Sequence, residues 1–281
     1  MSGILKFQTL RETGVQGLLM KLLLFGDSGA GKTHTSVTAP KPCVLLTEPN
    51  GLLSIQASNP DAYVIDVMRI AAEGESKPMD VVRHFFRAAM DGTLKAETGA
   101  ETVVIDSLTE LQRMLRDEIL DQKKGAGNVN VTWTLQDWST LTDRMRKLVR
   151  MIRDVPFHVV ATALAESDTD QNENRYVTPS FQGKKFPNEI AGYFSAVGYV
   201  FRQREKEGEE EVLKHRVLLS GPSTYLTKNV APLNPVEEPD VGDWIRRIGE
   251  HSGGDTSGSQ KTAAPTKNTS TKRGRSRATS K

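Results

Sequence analysis

The chain has one cysteine, Cys43, in 281 residues, so no internal disulfide can form, and a reducing, cytosolic compartment is the natural setting. Its five histidines are scattered without metal-ligand spacing. Long apolar runs are missing as well. The most apolar stretch, residues 18–25, is short, contains Lys21 and lies too far inside the chain for a cleaved signal, so no membrane span is expected. No internal repeat is visible. Net charge is only +2, but it is unevenly spread. After Glu250 the chain carries Lys261, Lys267, Lys272, Arg273, Arg275, Arg277 and Lys281 against Asp255 alone, which leaves a net acidic body. Residues 251–281 are Ser, Thr, Gly and Lys with almost no large apolar side chain, and such a composition cannot offset the entropy of folding. They are expected to be a disordered basic tail, which either attracts nucleic acid by counterion release or serves as a solubilising end. Residues 1–250, in a chain with 37% hydrophobic content, suffice for a large core.

What the sequence does contain is a complete G-x-x-x-x-G-K-[ST] segment: Gly26, Asp27, Ser28, Gly29, Ala30, Gly31, Lys32 and Thr33. The glycines allow a tight turn whose amides face phosphate oxygens, Lys32 would reach the outer phosphates, and Thr33 would meet a magnesium ion. The setting agrees, because the apolar run 18–25 supplies a preceding strand and residues 32–39 a following helix. ATP and Mg2+ are therefore the expected cofactors.

Further along, apolar or β-branched runs at 19–25, 43–47, 62–67, 102–106 and 158–163 read as strands buried on both faces. Helical stretches at 79–90, 108–120 and 139–153 lie between them. In the last of these Leu141, Met145, Leu148 and Ile152 recur at helical spacing. Such alternation defines an α/β fold with a mainly parallel sheet flanked by helices. Residues 196–202 and 212–220, joined by a charged turn at 205–211, form a C-terminal antiparallel hairpin extension, and residues 240–248 a closing helix.

Two carboxylates stand at strand ends. Thr102-Val-Val-Ile-Asp106-Ser107 is an apolar strand ending in Asp106, which in phosphate-loop enzymes orders the metal or its waters. Glu48 ends the strand at 43–47 and enters the turn Pro49-Asn50-Gly51. Ligands collect at the carboxyl ends of open parallel sheets. Glu48 there is suited to positioning and deprotonating the attacking water, with Lys32 as its catalytic partner at the phosphates.

The ordered set of phosphate loop, short helix, Ala39-Pro-Lys-Pro42, Thr47-Glu48, Val103-Val-Ile-Asp106-Ser107-Leu-Thr109, Asp137-Trp138 and Val159-Val-Ala-Thr-Ala163 resembles the RecA-like ATPases of bacteriophages. More narrowly it is similar to their RecA-core single-strand annealing recombinases. The resemblance covers about residues 19–230. It implies a RecA-like core in which Lys32 and Thr33 hold phosphates and metal, Asp106 supports the metal and Glu48 activates water.

The same resemblance implies a homo-oligomer on single-stranded DNA, with a single-strand DNA-binding protein as a further partner. DNA would lie along two loops, at 121–136 and 165–188. The first offers Lys123, Lys124 and Trp133 as phosphate contacts and a stacking ring, or is a mobile surface loop with a core tryptophan. The second is acidic at first (Glu166, Asp168, Asp170, Glu173) and then basic at Arg175, Lys184 and Lys185. Lys184 and Lys185 are open to three readings: DNA contacts, a neighbouring subunit's γ-phosphate, or a solvated pair. Where RecA has a polar residue sensing the γ-phosphate, only Thr162 remains in Thr162-Ala163-Leu164. The rival expectation is a nucleotide-switched adaptor acting on a protein partner, mildly favoured by the acidic body. A small-molecule kinase would need an arginine-rich lid that the acidic stretch after Ala165 does not supply.

Overall fold

The computed structural model describes residues 19–125, 131–169, 173–183, 185–208 and 210–252; Lys184 and residues 253–281 of the expected tail lie outside them, while residues 251 and 252 belong to the last helix. In chain order the first half runs β1 (Lys21–Gly26), α1 (Lys32–Ser36), β2 (Pro42–Leu46), α2 (Gly51–Ser58), β3 (Tyr63–Asp66), α3 (Val67–Glu73), α4 (Pro78–Asp91), α5 (Thr93–Thr98), β4 (Thr102–Asp106) and α6 (Leu108–Gly125). The second runs α7 (Leu135–Asp154), β5 (His158–Thr169), β6 (Arg175–Pro179), α8 (Phe186–Ala191), β7 (Ala196–Glu207), β8 (Glu210–Leu218), β9 (Lys228–Asn229), β10 (Val236–Glu237) and α9 (Val241–Ser252).

The strands form one sheet in the order β10-β8-β7-β1-β5-β4-β2-β3, with β6 added to β5 and β9 to β7. From β7 across to β3 every pair is parallel, while β7 with β8 and β8 with β10 are antiparallel. The mixed, mainly parallel α/β architecture with an antiparallel C-terminal extension is thus the one the sequence implies. One strand, β5, separates the phosphate-loop strand β1 from the Asp106 strand β4.

Strand side chains alternate between two faces, and both faces are covered. Leu23, Phe25, Leu45, Val103, Ile105 and Val159 pack beneath α4, α6 and α7. Leu22, Leu24, Val44, Leu46, Val104 and Val160 pack on the other side with Val37 and Trp244, the latter from α9. This explains why the central strands read as continuous apolar runs. Truncating one such leucine to alanine would cost about 2–5 kcal/mol.

Helix α7 buries Leu141, Met145, Leu148 and Ile152, the residues whose spacing singled it out, and starts four residues earlier than expected. A capping box explains the start. Thr134 accepts from the Asp137 amide while the Asp137 carboxylate accepts from the Thr134 amide. On the adjoining surface the buried Glu118 of α6 receives Arg83 at 2.6 Å and Arg144 at 2.9 Å, tying α4, α6 and α7 together.

Two expectations about loops are corrected. The stretch at 165–188 is mostly regular: β5 continues to Thr169 and pairs antiparallel with β6, and α8 follows. Its carboxylates hid the strand, because Glu166 and Asp168 lie on a solvent edge where charge is tolerated and local partners exist. The Tyr176 hydroxyl donates to Asp168 at 2.9 Å, and Ser180 donates to Glu166 at 3.2 Å. The stretch at 121–136 is shorter than expected, since α6 extends to Gly125 and α7 begins at Leu135.

Candidate nucleotide site

Residues 26–33 turn from β1 into α1 at the carboxyl edge of the sheet. Gly31 sits at φ 98°, in the left-handed region, and caps α1 without any side-chain hydrogen bond. Its Cβ, were there one, would lie 2.7 Å from the His215 ring. Glycine is therefore required twice over, by backbone angle and by space. Asp27, Ser28 and Gly29 are exposed, whereas Ala30 is buried against the sheet.

Lys32 folds back over this turn and donates to the carbonyls of Gly26 at 2.9 Å and Asp27 at 2.8 Å. Burial pushes its pKa down, opposed by the charges of Asp106, Glu48 and Asp27. The ammonium thus lies among carboxylates without a close ion pair to any of them, which leaves its charge available for phosphate.

Asp106 is 6% exposed at the end of β4. Its two oxygens are separately engaged: Thr33 donates to one at 2.8 Å and Thr162 to the other at 2.5 Å. Burial still raises its pKa, with the two hydroxyls and Lys32 acting the other way. A buried carboxylate beside a threonine hydroxyl is the hard-oxygen pair that magnesium favours, and a cation there would offset the desolvation that now penalises the charge. Thr33 and Asp106 therefore fit the metal that the phosphate loop implies.

Thr162, raised in the sequence only as a γ-phosphate sensor, is wholly buried on β5, and its hydroxyl donates to the Asp106 carboxylate. The intervening position of β5 places it there, and chain order alone gives no sign of that.

Glu48 lies just past the end of β2, half-buried, and accepts from the Ser107 hydroxyl at 2.7 Å. Thr47 braces this corner. Its hydroxyl donates to the Asp106 carbonyl at 2.9 Å and accepts from the Ser107 amide at 2.7 Å. Gly51 opens α2 so close that a Cβ would stand 3.2 Å from an Asp106 carboxylate oxygen. The turn Pro49-Asn50-Gly51 thus brings the second carboxylate to the first without crowding it.

The structure brings Lys32, Thr33, Glu48, Asp106, Ser107 and Thr162 to one corner. Of the described residues suggested for DNA, three have local partners outside this corner. Lys123 donates to Asp137 at 2.6 Å, at the cap of α7. Lys124 stands 4.0 Å from Asp121. Arg175 donates to Ser167 at 3.0 Å, across the β5–β6 pair. Lys185 precedes α8, and Lys184 is outside the described residues. Trp133 is half-buried, with its ring edge-on to Trp138 at 5.3 Å between centroids and Arg116 5.5 Å from its own.

Beside the nucleotide corner, a cavity of about 530 Å³ is lined by Thr109, Gln112, Arg113, Glu166, Asp168 and Gln182 among others. The residue that sequence reasoning missed is His215 on β8, whose Nδ1 stands 2.7 Å from the Ala30 carbonyl. Its only sequence signal is register: in a strand with Val217 buried, residue 215 faces the same side.

A phosphate loop on β1, an acidic strand end on β4 one strand removed, and a glutamate on the neighbouring β2 define a RecA-like phosphate-loop ATPase. The chain belongs to the family of AAA domains, whose family model matches residues 19–230. No curated protein matches the sequence. Among solved structures, a KaiC-like protein from the hyperthermophilic archaeon Pyrococcus horikoshii is similar at 17% identity and TM-score 0.37, covering 71% of this chain and 77% of that one. The flagellar accessory protein FlaH from Methanocaldococcus jannaschii is similar at 11% identity and TM-score 0.35, covering 80% and 88%. Likenesses this distant add no weight to the reading of individual residues.

Proposed function

We propose that the chain hydrolyses ATP with Mg2+ and uses the cycle to bind single-stranded DNA as an oligomer, promoting annealing or strand pairing in DNA recombination of the bacteriophage kind. In this reading the loop amides and Lys32 hold the β- and γ-phosphates, and Thr33 and Asp106 hold the metal. A bound magnesium ion supplies charge neutralisation at the phosphates. Glu48 orients a water and takes its proton, and Ser107 keeps the carboxylate in place until that water arrives. Removing the Ser107 bond during turnover would free both oxygens of Glu48 for the water.

One observation supports a coupling to DNA in this reading. Ser107, the partner of Glu48, also caps the first turn of α6, where its Oγ accepts from the Glu110 amide at 3.3 Å. Within that turn Thr109 accepts from the Leu164 amide at 3.0 Å and donates to the Ser180 carbonyl at 3.3 Å. The γ-phosphate corner is thus two residues from a side chain that fastens the β5–β6 pair, the region where Arg175 and Lys185 lie. A change at Glu48 and Ser107 has a short, hydrogen-bonded route to that surface.

A second reading, the nucleotide-switched adaptor acting on a protein, is favoured by a different observation. Lys123, Lys124 and Arg175 already have partners within the chain, and Glu166 and Asp168 face the adjoining cavity. Steady-state ATP hydrolysis with and without single-stranded DNA at low salt separates the two. Stimulation by DNA that persists after removal of residues 252–281 supports the recombination reading. Turnover indifferent to DNA sinks it and leaves the adaptor.

A further inference from the structure

The phosphate loop does not stand on β1 and α1 alone. The C-terminal strands β7 and β8 back it. A Cβ on Gly26 would lie 2.5 Å from the Val200 carbonyl of β7, and one on Gly31 would lie 2.7, 3.1 and 3.3 Å from three atoms of the His215 ring on β8. The imidazole therefore packs directly against the last glycine of the loop. Its Nδ1 meets the Ala30 carbonyl at 2.7 Å. A carbonyl can only accept, so Nδ1 carries the proton whether the ring is neutral or charged.

The position of His215 is itself fixed. Arg202 of β7 is its register partner, and the His215 carbonyl accepts from Arg216 at 3.0 Å. Arg216 in turn donates to Glu205 at 2.7 Å across the β7–β8 pair. The strand that presents the imidazole is thus tied to β7.

In a planar trans peptide the amide hydrogen points away from the carbonyl oxygen. Holding the Ala30 carbonyl towards His215 of β8 therefore turns the Gly31 N–H away from that ring. We propose that His215 is a positioning residue for nucleotide binding: its Nδ1–H fixes the Ala30–Gly31 peptide so that the Gly31 amide is already aimed at the phosphates. The free loop would otherwise have to settle into that orientation as the nucleotide arrives, and preorganisation removes this cost. The role rests on the phosphate-loop assignment but on none of the DNA chemistry. It also makes the hairpin, which enters the chain after every motif residue, part of the nucleotide site.

The test is titration of a fluorescent ATP analogue against the full chain and its His215→Leu, His215→Asn and Lys32→Ala variants, with thermal melting of each nucleotide-free protein. Asparagine can place an amide N–H near the Nδ1 position, whereas leucine fills the space without a donor. His215→Leu is expected to bind about tenfold more weakly, the size of one lost hydrogen bond to the loop. His215→Asn is expected to recover most of that loss. In ATP hydrolysis the leucine variant should raise KM and leave kcat near that of the unaltered chain, a split that general loosening of the fold would not give.

Wild-type affinity in His215→Leu overturns the proposal. So does equal weakness of the asparagine and leucine variants when both melt with the unaltered chain, since packing rather than donation would then be what matters. Lys32→Ala stands as the separate control: if it keeps wild-type affinity, the phosphate-loop assignment itself has failed, whatever His215 does.

Discussion

The nucleotide corner and the face around α6, β5 and β6 are built from similar polar residues but in opposite ways. At the corner, side chains from β2, β4, β5 and α1 converge on two carboxylates. Hydroxyls hold those carboxylates, and among the described residues no arginine or lysine pairs closely with either. On the other face the cations have local partners within the chain: Lys123 pairs with Asp137, Arg175 donates to Ser167, and Lys124 lies 4.0 Å from Asp121. The first arrangement keeps charge in reserve for an incoming ligand. The second spends it on the fold, so the two regions should respond differently to the same kind of substitution.

The sharpest way to break that contrast is at Lys32. Lys32→Ala is expected to abolish ATP binding in a titration, with little change in melting temperature because Lys32 donates only to two carbonyls of its own loop. Loss of folding instead of binding would place Lys32 with the structural cations.

Thr162→Val should have the next effect. It removes the donor at 2.5 Å from a buried carboxylate and is expected to destabilise by about 1–3 kcal/mol in urea unfolding. Added Mg2+ with nucleotide should narrow the difference, because a cation at Asp106 compensates for the missing donor. A variant as stable as the unaltered chain would show that Asp106 does not depend on hydroxyl partners.

On the opposite face, Lys123→Ala should lower stability by about 1 kcal/mol or less through the α7 cap, without touching ATP turnover. The double change Arg175→Glu, Lys185→Glu probes function there instead. If these cations meet DNA phosphates, it should weaken single-stranded DNA binding and reduce the salt slope by about 2. An unchanged slope would assign them to the fold alone.

A pH-dependent effect concerns Lys21, at the amino end of β1. Its ammonium nitrogen lies 2.7 Å from the carbonyls of both Val155 and Phe157, and burial lowers its pKa from 10.5 to about 8, against a smaller upward pull from Asp154. A neutral amine still has two N–H groups for those two carbonyls. Between about pH 8 and pH 10.5 the unfolded chain carries the extra proton, so this residue makes stability rise with pH over that window. Lys21→Met should remove the rise in pH-dependent unfolding; a rise of the same size in the variant would mean that another group causes it.

The same contrast decides what could be read from sequence. The phosphate loop and the Asp106 strand are contiguous segments whose chemistry depends on spacing, so they are legible in the sequence. Glu48 was legible because a carboxylate at a strand end can be placed by topology rules. Thr162 and His215 were not legible in their present roles. Each acts across strand neighbours, and pairings such as β1 with β7 join residues far apart in the chain. The β5–β6 pairing was hidden for a related reason: its carboxylates lie on an edge facing solvent, where no apolar alternation marks a strand. The cations of that region read as free because sequence cannot show that Asp137 and Ser167 lie beside Lys123 and Arg175.

The central claim is that Glu48 is the base of an ATPase site whose binding half is the phosphate loop. The most direct measurement is steady-state ATP hydrolysis by Glu48→Gln beside the unaltered chain, with ATP affinity measured on both. The expected result is unchanged affinity with turnover reduced by about 10²–10⁴-fold. Undiminished hydrolysis in the glutamine variant would contradict the claim.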